Sequence, residues 1–135
     1  MSETRENLPS GPSSIPRGGD VDDQIGLVTS HPDEGQVVIE VAGEVDMLTS
    51  PQLRGAVLEQ FEAGAGLVVL GLDGVTFLGT SGLAVLIEVR EAAQNTGVTL
   101  RLACTARRVL RPLTIAGLIP LFDIHDTVDQ ALTAA

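Results

Sequence analysis

Four consecutive residues, Gly79-Thr80-Ser81-Gly82, place two hydroxyls between two glycines. They come after the apolar run Leu67–Leu72 and lead into a second apolar run that begins at Leu83. A strand that ends in a small-residue turn and opens a helix leaves hydroxyls beside unpaired backbone N–H groups, where the helix dipole favours anions. The turn is therefore a suitable place to add a phosphate or to hold one.

The same turn has two other interpretations. A nucleophilic serine on a strand-to-helix turn needs the pattern G-x-S-x-G, but Leu83 stands where the second glycine is required. The two histidines, His31 and His125, are not placed by the sequence beside Ser81. The plainest interpretation makes Thr80 a helix N-cap, which contributes about 1 kcal/mol. That geometry does not exclude phosphorylation of the hydroxyl by another protein.

The single cysteine, Cys104, invites comparison with a phosphatase loop because arginines follow it. A Cys-x5-Arg loop that cradles phosphate needs arginine at position 110, and this chain has Leu110 there. No histidine directly precedes the cysteine. We therefore predict a buried structural thiol.

The sequence lacks the residues that nucleotide-binding and metal-binding sites need. Gly64-Ala65-Gly66 misses the third glycine of a dinucleotide loop and precedes a strand when it should follow one. The chain has no lysine for a Walker loop, and no pair of His or Cys has metal-ligand spacing. We predict that the protein is not an enzyme and uses no metal or cofactor.

An acidic segment, Gly43-Glu44-Val45-Asp46, ends the second predicted strand just before the first helix. Taken alone, it indicates a turn with solvated carboxylates. If the second and third strands are parallel neighbours, their carboxyl ends lie at one edge, where open α/β sheets bind ligands and partners. We then expect Asp46 to lie close to Thr80.

The charge of the chain limits its partners. The net charge is −10, and all eight positive residues are arginine. This balance disfavours nucleic acid and anionic membranes, whose phosphates repel it. A protein partner with a basic or mixed face fits better. With one cysteine and no apolar segment of membrane-spanning length, we predict a cytoplasmic protein, a monomer or weak dimer.

The segments around these motifs predict an α/β fold. Residues 1–23, rich in Ser, Gly, Pro and acids, predict a disordered tail before a folded domain at 24–135. We predict a mixed sheet of four to five strands with about four helices, in the order β-β-α-β-α-β-α-β-α. Predicted strands cover 25–29, 36–42, 67–72, 98–102 and 122–125.

Predicted helix boundaries follow from capping residues and prolines. Thr49 or Ser50 opens the first helix, and Gly64 ends it. Thr105 caps the third helix, and Pro112 should kink or break it. Thr127 with Gln130 resembles a capping box that opens a last short helix.

The ordered set of segments resembles the STAS domain of bacterial anti-sigma-factor antagonists. The residues that carry the resemblance are Gly43-Glu44-Val45-Asp46, Val75–Leu83, Arg107–Leu113 and Ala116-Gly117-Leu118. The resemblance extends over residues 25–133, essentially the whole predicted domain. It implies an α/β STAS domain at 24–135.

The resemblance also implies a switch without catalysis of its own. Members of the family bind an anti-sigma factor that is also a serine/threonine kinase, and so release a sigma factor to RNA polymerase. The kinase phosphorylates a hydroxyl at the start of the central helix, which ends binding, and a serine phosphatase restores it. Thr80 matches the phosphorylated position, with Ser81 as second choice, and Asp46 matches an acidic residue in the partner-binding surface.

This chain departs from the family pattern at Gly79, where the family commonly has Asp before the phosphorylated residue. The alternative is a STAS-like interaction module that phosphorylation does not regulate. In both cases the predicted partner-binding residues are Glu44, Asp46, Gly79, Thr80, Ser81 and Gly82.

Overall fold

The computed structural model describes residues 25–134, and the predicted tail at 1–23 lies outside the described residues. In the described range, five strands form one mixed sheet in the order β1-β2-β3-β4-β5. β1 pairs antiparallel with β2, and each later pair is parallel. This confirms the predicted α/β class with an opening hairpin. The strands are β1 (Ile25–Ser30), β2 (Gln36–Val45), β3 (Leu67–Leu78), β4 (Thr99–Ala103) and β5 (Asp123–His125).

The helices cover both faces of the sheet. In the part of the chain that the structure describes, they are α1 (Ser50–Glu62), α2 (Thr80–Thr96), α3 (Arg107–Ile115) and α4 (Val128–Thr133), with a 3₁₀ turn at Ile119–Leu121. Helices α1, α2 and α3 share one hydrophobic core with one face of the strands. On the opposite face, α4 packs through Ala131 against a smaller cluster of Val38, Val69 and Ala103.

The central strand β3 is longer than predicted, because it continues past Leu72 to Leu78. Its register against β2 shifts at two places in its second half. Such bulges place extra residues in one strand and re-aim its side chains. As a result, Val75 and Leu78 are both buried while Phe77 between them faces solvent.

Three helix boundaries agree with the sequence. The Thr127 hydroxyl oxygen accepts a 3.0 Å hydrogen bond from the N–H of Gln130, as the predicted cap requires. Gly64 directly follows the C-cap of α1 and has a left-handed φ of 93°. Thr49 is the N-cap of α1, but its side chain bonds to the preceding loop and not to the helix.

Two helix caps differ from those that the sequence indicated. Gly79, and not Thr80, is the N-cap of α2, because the Gly79 carbonyl already accepts the N–H of Leu83 at 3.1 Å. Thr105 does not cap α3, whose N-cap is Ala106. Of the kink or break expected at Pro112, the break does not occur, because α3 continues to Ile115. Val109 and Leu113 on α3 are fully buried, and their burial outweighs the one missing backbone hydrogen bond.

Candidate functional site

A backbone hydrogen bond joins the two segments that the sequence singled out. The N–H of Gly79, at the start of α2, donates to the carbonyl of Val45 at 2.9 Å. The strands are parallel here, with Glu44 opposite Phe77 and Val45 opposite Leu78. The acidic segment and the hydroxyl turn therefore lie at one edge of the sheet.

The two hydroxyls of the turn differ in exposure. Thr80 is the first residue of α2 and is exposed, whereas Ser81 is half-buried. Neither hydroxyl forms a hydrogen bond to any residue between 25 and 134. The first turn of α2 contains no acidic residue, so the positive end of the helix dipole is not offset there. Thr80 is the more accessible of the two hydroxyls to another protein.

Both flanking glycines occupy crowded positions. A Cβ at Gly82 would come within 2.7 Å of both Leu78 Cδ1 and Val45 Cγ1, which lie in the core. Gly82 therefore lets α2 approach the ends of β2 and β3 closely. A Cβ at Gly79 would come within 2.9 Å of the Phe77 ring. The ring of Phe77 thus fills the space where other residues would place a side chain.

The acidic segment is held by its own loop. The Asp46 carboxylate accepts the N–H groups of Leu48 at 2.9 Å and Thr49 at 3.0 Å. The Thr49 hydroxyl in turn donates to the carbonyl of Glu44 at 2.7 Å. Hydrogen bonds to Thr49, first among several, lower the pKa of Asp46 below its ordinary value. Asp46 is ionised at neutral pH, and within residues 25–134 its carboxylate bonds only to Leu48 and Thr49.

A groove on the other side of Thr80 was not predicted. It has a volume of about 480 Å³ and lies between the start of α2 and helix α3. Phe77, which is 53% exposed, and Ile115, which is 77% exposed, contribute apolar walls. Thr80 and Arg111 line the same groove. Regular strand alternation would place Phe77 on the same face as the buried Val75, so only the bulge in β3 turns Phe77 outward, and the sequence carried no signal for this surface.

Asp73 and Arg108 fix α3 against the second half of β3. The Asp73 carboxylate accepts the N–H groups of Thr105 at 2.8 Å and Ala106 at 3.0 Å. The Arg108 guanidinium donates to the carbonyls of Val75 at 2.6 Å and Asp73 at 3.0 Å. These bonds set the position of α3 and hence the width of the groove.

The same edge offers a second exposed apolar surface. Met47 and Leu48, each 78% exposed, follow β2 in the loop that Asp46 holds. Large apolar side chains that are this exposed in one region are typical of protein-binding surfaces. The sequence predicted the acids of this loop as binding residues and missed its two apolar residues.

Cys104 is buried, as predicted, with 1% of its surface exposed. Burial, with a smaller effect of the Asp73 charge, raises the pKa of its thiol to about 11. The thiol is therefore protonated and unreactive at neutral pH.

Across residues 25–134, no group of three or more His, Cys, Asp or Glu side chains is placed to hold a metal ion. None of the helices in that range has the length and apolar content needed to cross a bilayer.

Sequence comparison identifies the family to which this chain belongs. The family model of the STAS domain matches residues 28–131. The chain belongs to the STAS domain family. This STAS domain is 31% identical over 108 residues to the anti-sigma-F factor antagonist RsfB of Mycobacterium tuberculosis, covering 78% of this chain and 86% of RsfB.

Two further relatives agree. The anti-sigma-B factor antagonist of Bacillus subtilis is 30% identical to this STAS domain over 91 residues, covering 67% of this chain and 83% of the relative. The crystal structure of an anti-sigma factor antagonist from Mycobacterium paratuberculosis superposes with a TM-score of 0.76 at 30% identity, covering 84% of this chain and 96% of that chain. The homologues of this STAS domain are thus anti-sigma-factor antagonists, as the resemblance implied.

Proposed function

We propose that this STAS domain binds an anti-sigma factor that is also a serine/threonine kinase, and so frees a sigma factor. Phosphorylation of Thr80 by that kinase ends the binding, and a serine phosphatase reverses it. The protein acts in the cytoplasm without catalysis of its own. One observation carries the proposal, which is that the Thr80 hydroxyl is exposed at the start of α2 and beside exposed apolar side chains.

The relatives support the partner class. RsfB and the Bacillus subtilis protein are named antagonists of anti-sigma-F and anti-sigma-B factors, and each match covers most of the relative's length. A protein of this kind must present a surface to an anti-sigma factor. The edge that carries Thr80 presents three large exposed apolar side chains, Met47, Leu48 and Phe77, next to the predicted partner-binding residues.

Electrostatic repulsion explains why phosphorylation of Thr80 would weaken binding. A phosphate on Thr80 adds about −1.5 to −2 charges at neutral pH. Asp46 is ionised on the neighbouring loop, and the exposed Glu44 lies opposite Phe77 in the sheet. A surface that binds its partner around a neutral hydroxyl would then contain several negative charges. Repulsion and the desolvation of the phosphate together reduce the affinity for that partner.

Phosphorylation is tested by incubating the protein with a cognate anti-sigma kinase and ATP and measuring intact mass. The proposal predicts a gain of one phosphate that Thr80→Ala loses and Ser81→Ala keeps. Circular dichroism of both variants controls for folding. If neither variant changes the phosphate gained by the wild type, Thr80 is not the modified residue.

The alternative function, an interaction module without phosphorylation, has one observation in its favour. The Phe77 ring occupies the space beside Gly79, so an aromatic side chain flanks Thr80 where an acid is common in the family. A kinase that recognises such an acid would not find it here. In the same experiment, no phosphate gain together with intact binding to the anti-sigma factor would favour this alternative.

A further inference from the structure

Helix α3 concentrates positive charge in an acidic protein. Three of the eight arginines of the chain, Arg107, Arg108 and Arg111, lie on α3, and its nine residues include no acid. Arginine in the first turn of a helix faces the positive end of the dipole, which is electrostatically unfavourable. Within residues 25–134, none of the three pairs with a carboxylate. The helix therefore presents cations that the fold itself does not neutralise.

The three arginines are not equivalent. Arg108 donates to two backbone carbonyls of β3 and so acts in packing α3 onto the sheet. Arg107 is exposed and does not line the groove that contains Thr80. Arg111 is exposed, lines that groove, and makes no hydrogen bond to the rest of the described chain. Arg108 also lines the groove, but its guanidinium is held by β3, so Arg111 is the groove arginine without a hydrogen bond to residues 25–134.

The groove combines this cation with apolar walls. Phe77 stands at one side, and Ile115 on α3 stands exposed in the last turn of its helix. Leu83 and Pro112 add further apolar surface. A ligand that fits such a groove needs a large apolar side chain together with a negatively charged group.

We propose that this groove docks a segment of the anti-sigma factor that carries a large apolar side chain next to a carboxylate, with the carboxylate paired to Arg111. Charge complementarity selects the carboxylate, because Arg111 pairs with no carboxylate of residues 25–134. The inference rests on the proposed function, since it names the chemistry by which the same partner is recognised. It adds α3 to a binding surface that the sequence placed only on the β2 and β3 loops.

The test measures binding by calorimetry to each purified anti-sigma factor of the organism that carries this chain. Arg111→Glu should weaken binding at least about tenfold, because it repels the partner carboxylate. The matched control Arg107→Glu makes the same charge change on the same helix outside the groove, and it should stay within about twofold. Ile115→Ser should also weaken binding about tenfold, while Leu121→Ser, an exposed apolar residue outside the groove, should not.

The outcomes distinguish a failure of the proposed docking groove from a failure of the proposed function. If the wild type binds an anti-sigma factor and Arg111→Glu and Ile115→Ser bind equally well, the groove is not the docking site, although the proposed function stands. If the wild type binds none of the anti-sigma factors, the proposed function itself fails. If sedimentation shows a dimer of the protein alone that Ile115→Ser dissociates, a second copy of the chain occupies the groove and the inference is overturned.

Discussion

The N–H of Gly79 donates to the carbonyl of Val45 at 2.9 Å, and this bond ties the start of α2 to the end of β2. Asp46 directly follows one of these residues and Thr80 directly follows the other. The loop that contains Asp46 and the segment that contains Thr80 are therefore joined by a backbone hydrogen bond, which does not depend on the conformation of either side chain. A partner that contacts one segment at this edge also meets the other.

The close packing at Gly82 predicts a loss of stability when a methyl group is added there. In Gly82→Ala the new Cβ must displace Leu78 and Val45, which are both in the core. We expect a loss of about 2 kcal/mol, since overpacking outweighs the better helix propensity of alanine. Urea unfolding measures it, with Gly79→Ala as control. The control displaces only the exposed Phe77 ring and should cost less than about 1 kcal/mol. Equal losses in the two variants would contradict the packing described for α2.

The Asp73 carboxylate should stabilise the start of α3. Asp73→Ala removes the acceptor for two backbone N–H groups and should cost about 1–2 kcal/mol of unfolding free energy. Asp73→Asn keeps an acceptor oxygen in the same place and should lose less than half of that. Thermal unfolding of the two variants measures the difference. A loss in Asp73→Asn as large as in Asp73→Ala would mean that the charge, and not the hydrogen bonds, stabilises α3.

Asp46 should contribute to the acid dependence of stability. Its pKa is lower in the folded protein than the value of about 3.9 expected for the unfolded chain. Its contribution is therefore present above pH about 4 and is lost as the pH falls through the folded pKa. Asp46→Asn keeps an acceptor for the N–H groups of Leu48 and Thr49 but cannot titrate. The difference in unfolding free energy between wild type and Asp46→Asn should shrink as the pH falls from 6 to below about 3.5. A difference that stays constant over this range would contradict the ionised Asp46 described here.

A negative charge at Thr80 should not harm the fold. Helix α2 has no acidic residue in its first turn, so Thr80→Glu places a carboxylate at the positive end of the dipole. We expect a gain of about 0.3–1 kcal/mol in unfolding free energy at low salt, falling as salt is added. Thr80→Gln is the neutral control and should show no salt-dependent gain. A clear destabilisation in Thr80→Glu alone would mean that Thr80 is more enclosed than its exposure indicates.

Much of the fold could be predicted because local patterns and long-range packing agree. The continuous apolar run Leu67–Leu72 predicted a buried central strand, and alternation from 98 to 102 predicted β4. The end of β3 could not be predicted in the same way. Asp73-Gly74 has the composition of a turn, yet the backbone continues as strand because β2 pairs with it as far as Leu78. Tertiary pairing overrode the local preference.

The sequence predicted that the hydroxyl turn and the acidic segment lie close together, but it did not predict the groove. Gly79-Thr80-Ser81-Gly82 and the acidic segment each lie at the carboxyl end of a predicted strand, and neighbouring parallel strands end at the same edge of the sheet. Phe77, Arg111 and Ile115 come from β3 and α3, and they meet only through the bulges of β3 and the anchoring of α3 by Asp73. No sequence pattern within β3 or α3 predicts that these residues line one groove.

In the proposed switch, the charge at Thr80 controls binding to the anti-sigma factor. Calorimetric titration of a purified cognate anti-sigma factor with wild type, Thr80→Ala and Thr80→Glu tests this control. We expect similar affinities for wild type and Thr80→Ala, and an affinity at least about 100-fold lower for Thr80→Glu, equivalent to about 2.7 kcal/mol. Since Thr80→Glu is expected to be fully folded, a loss of stability would not explain such a result. Thr80→Glu binding as tightly as the wild type would contradict the phosphorylation switch.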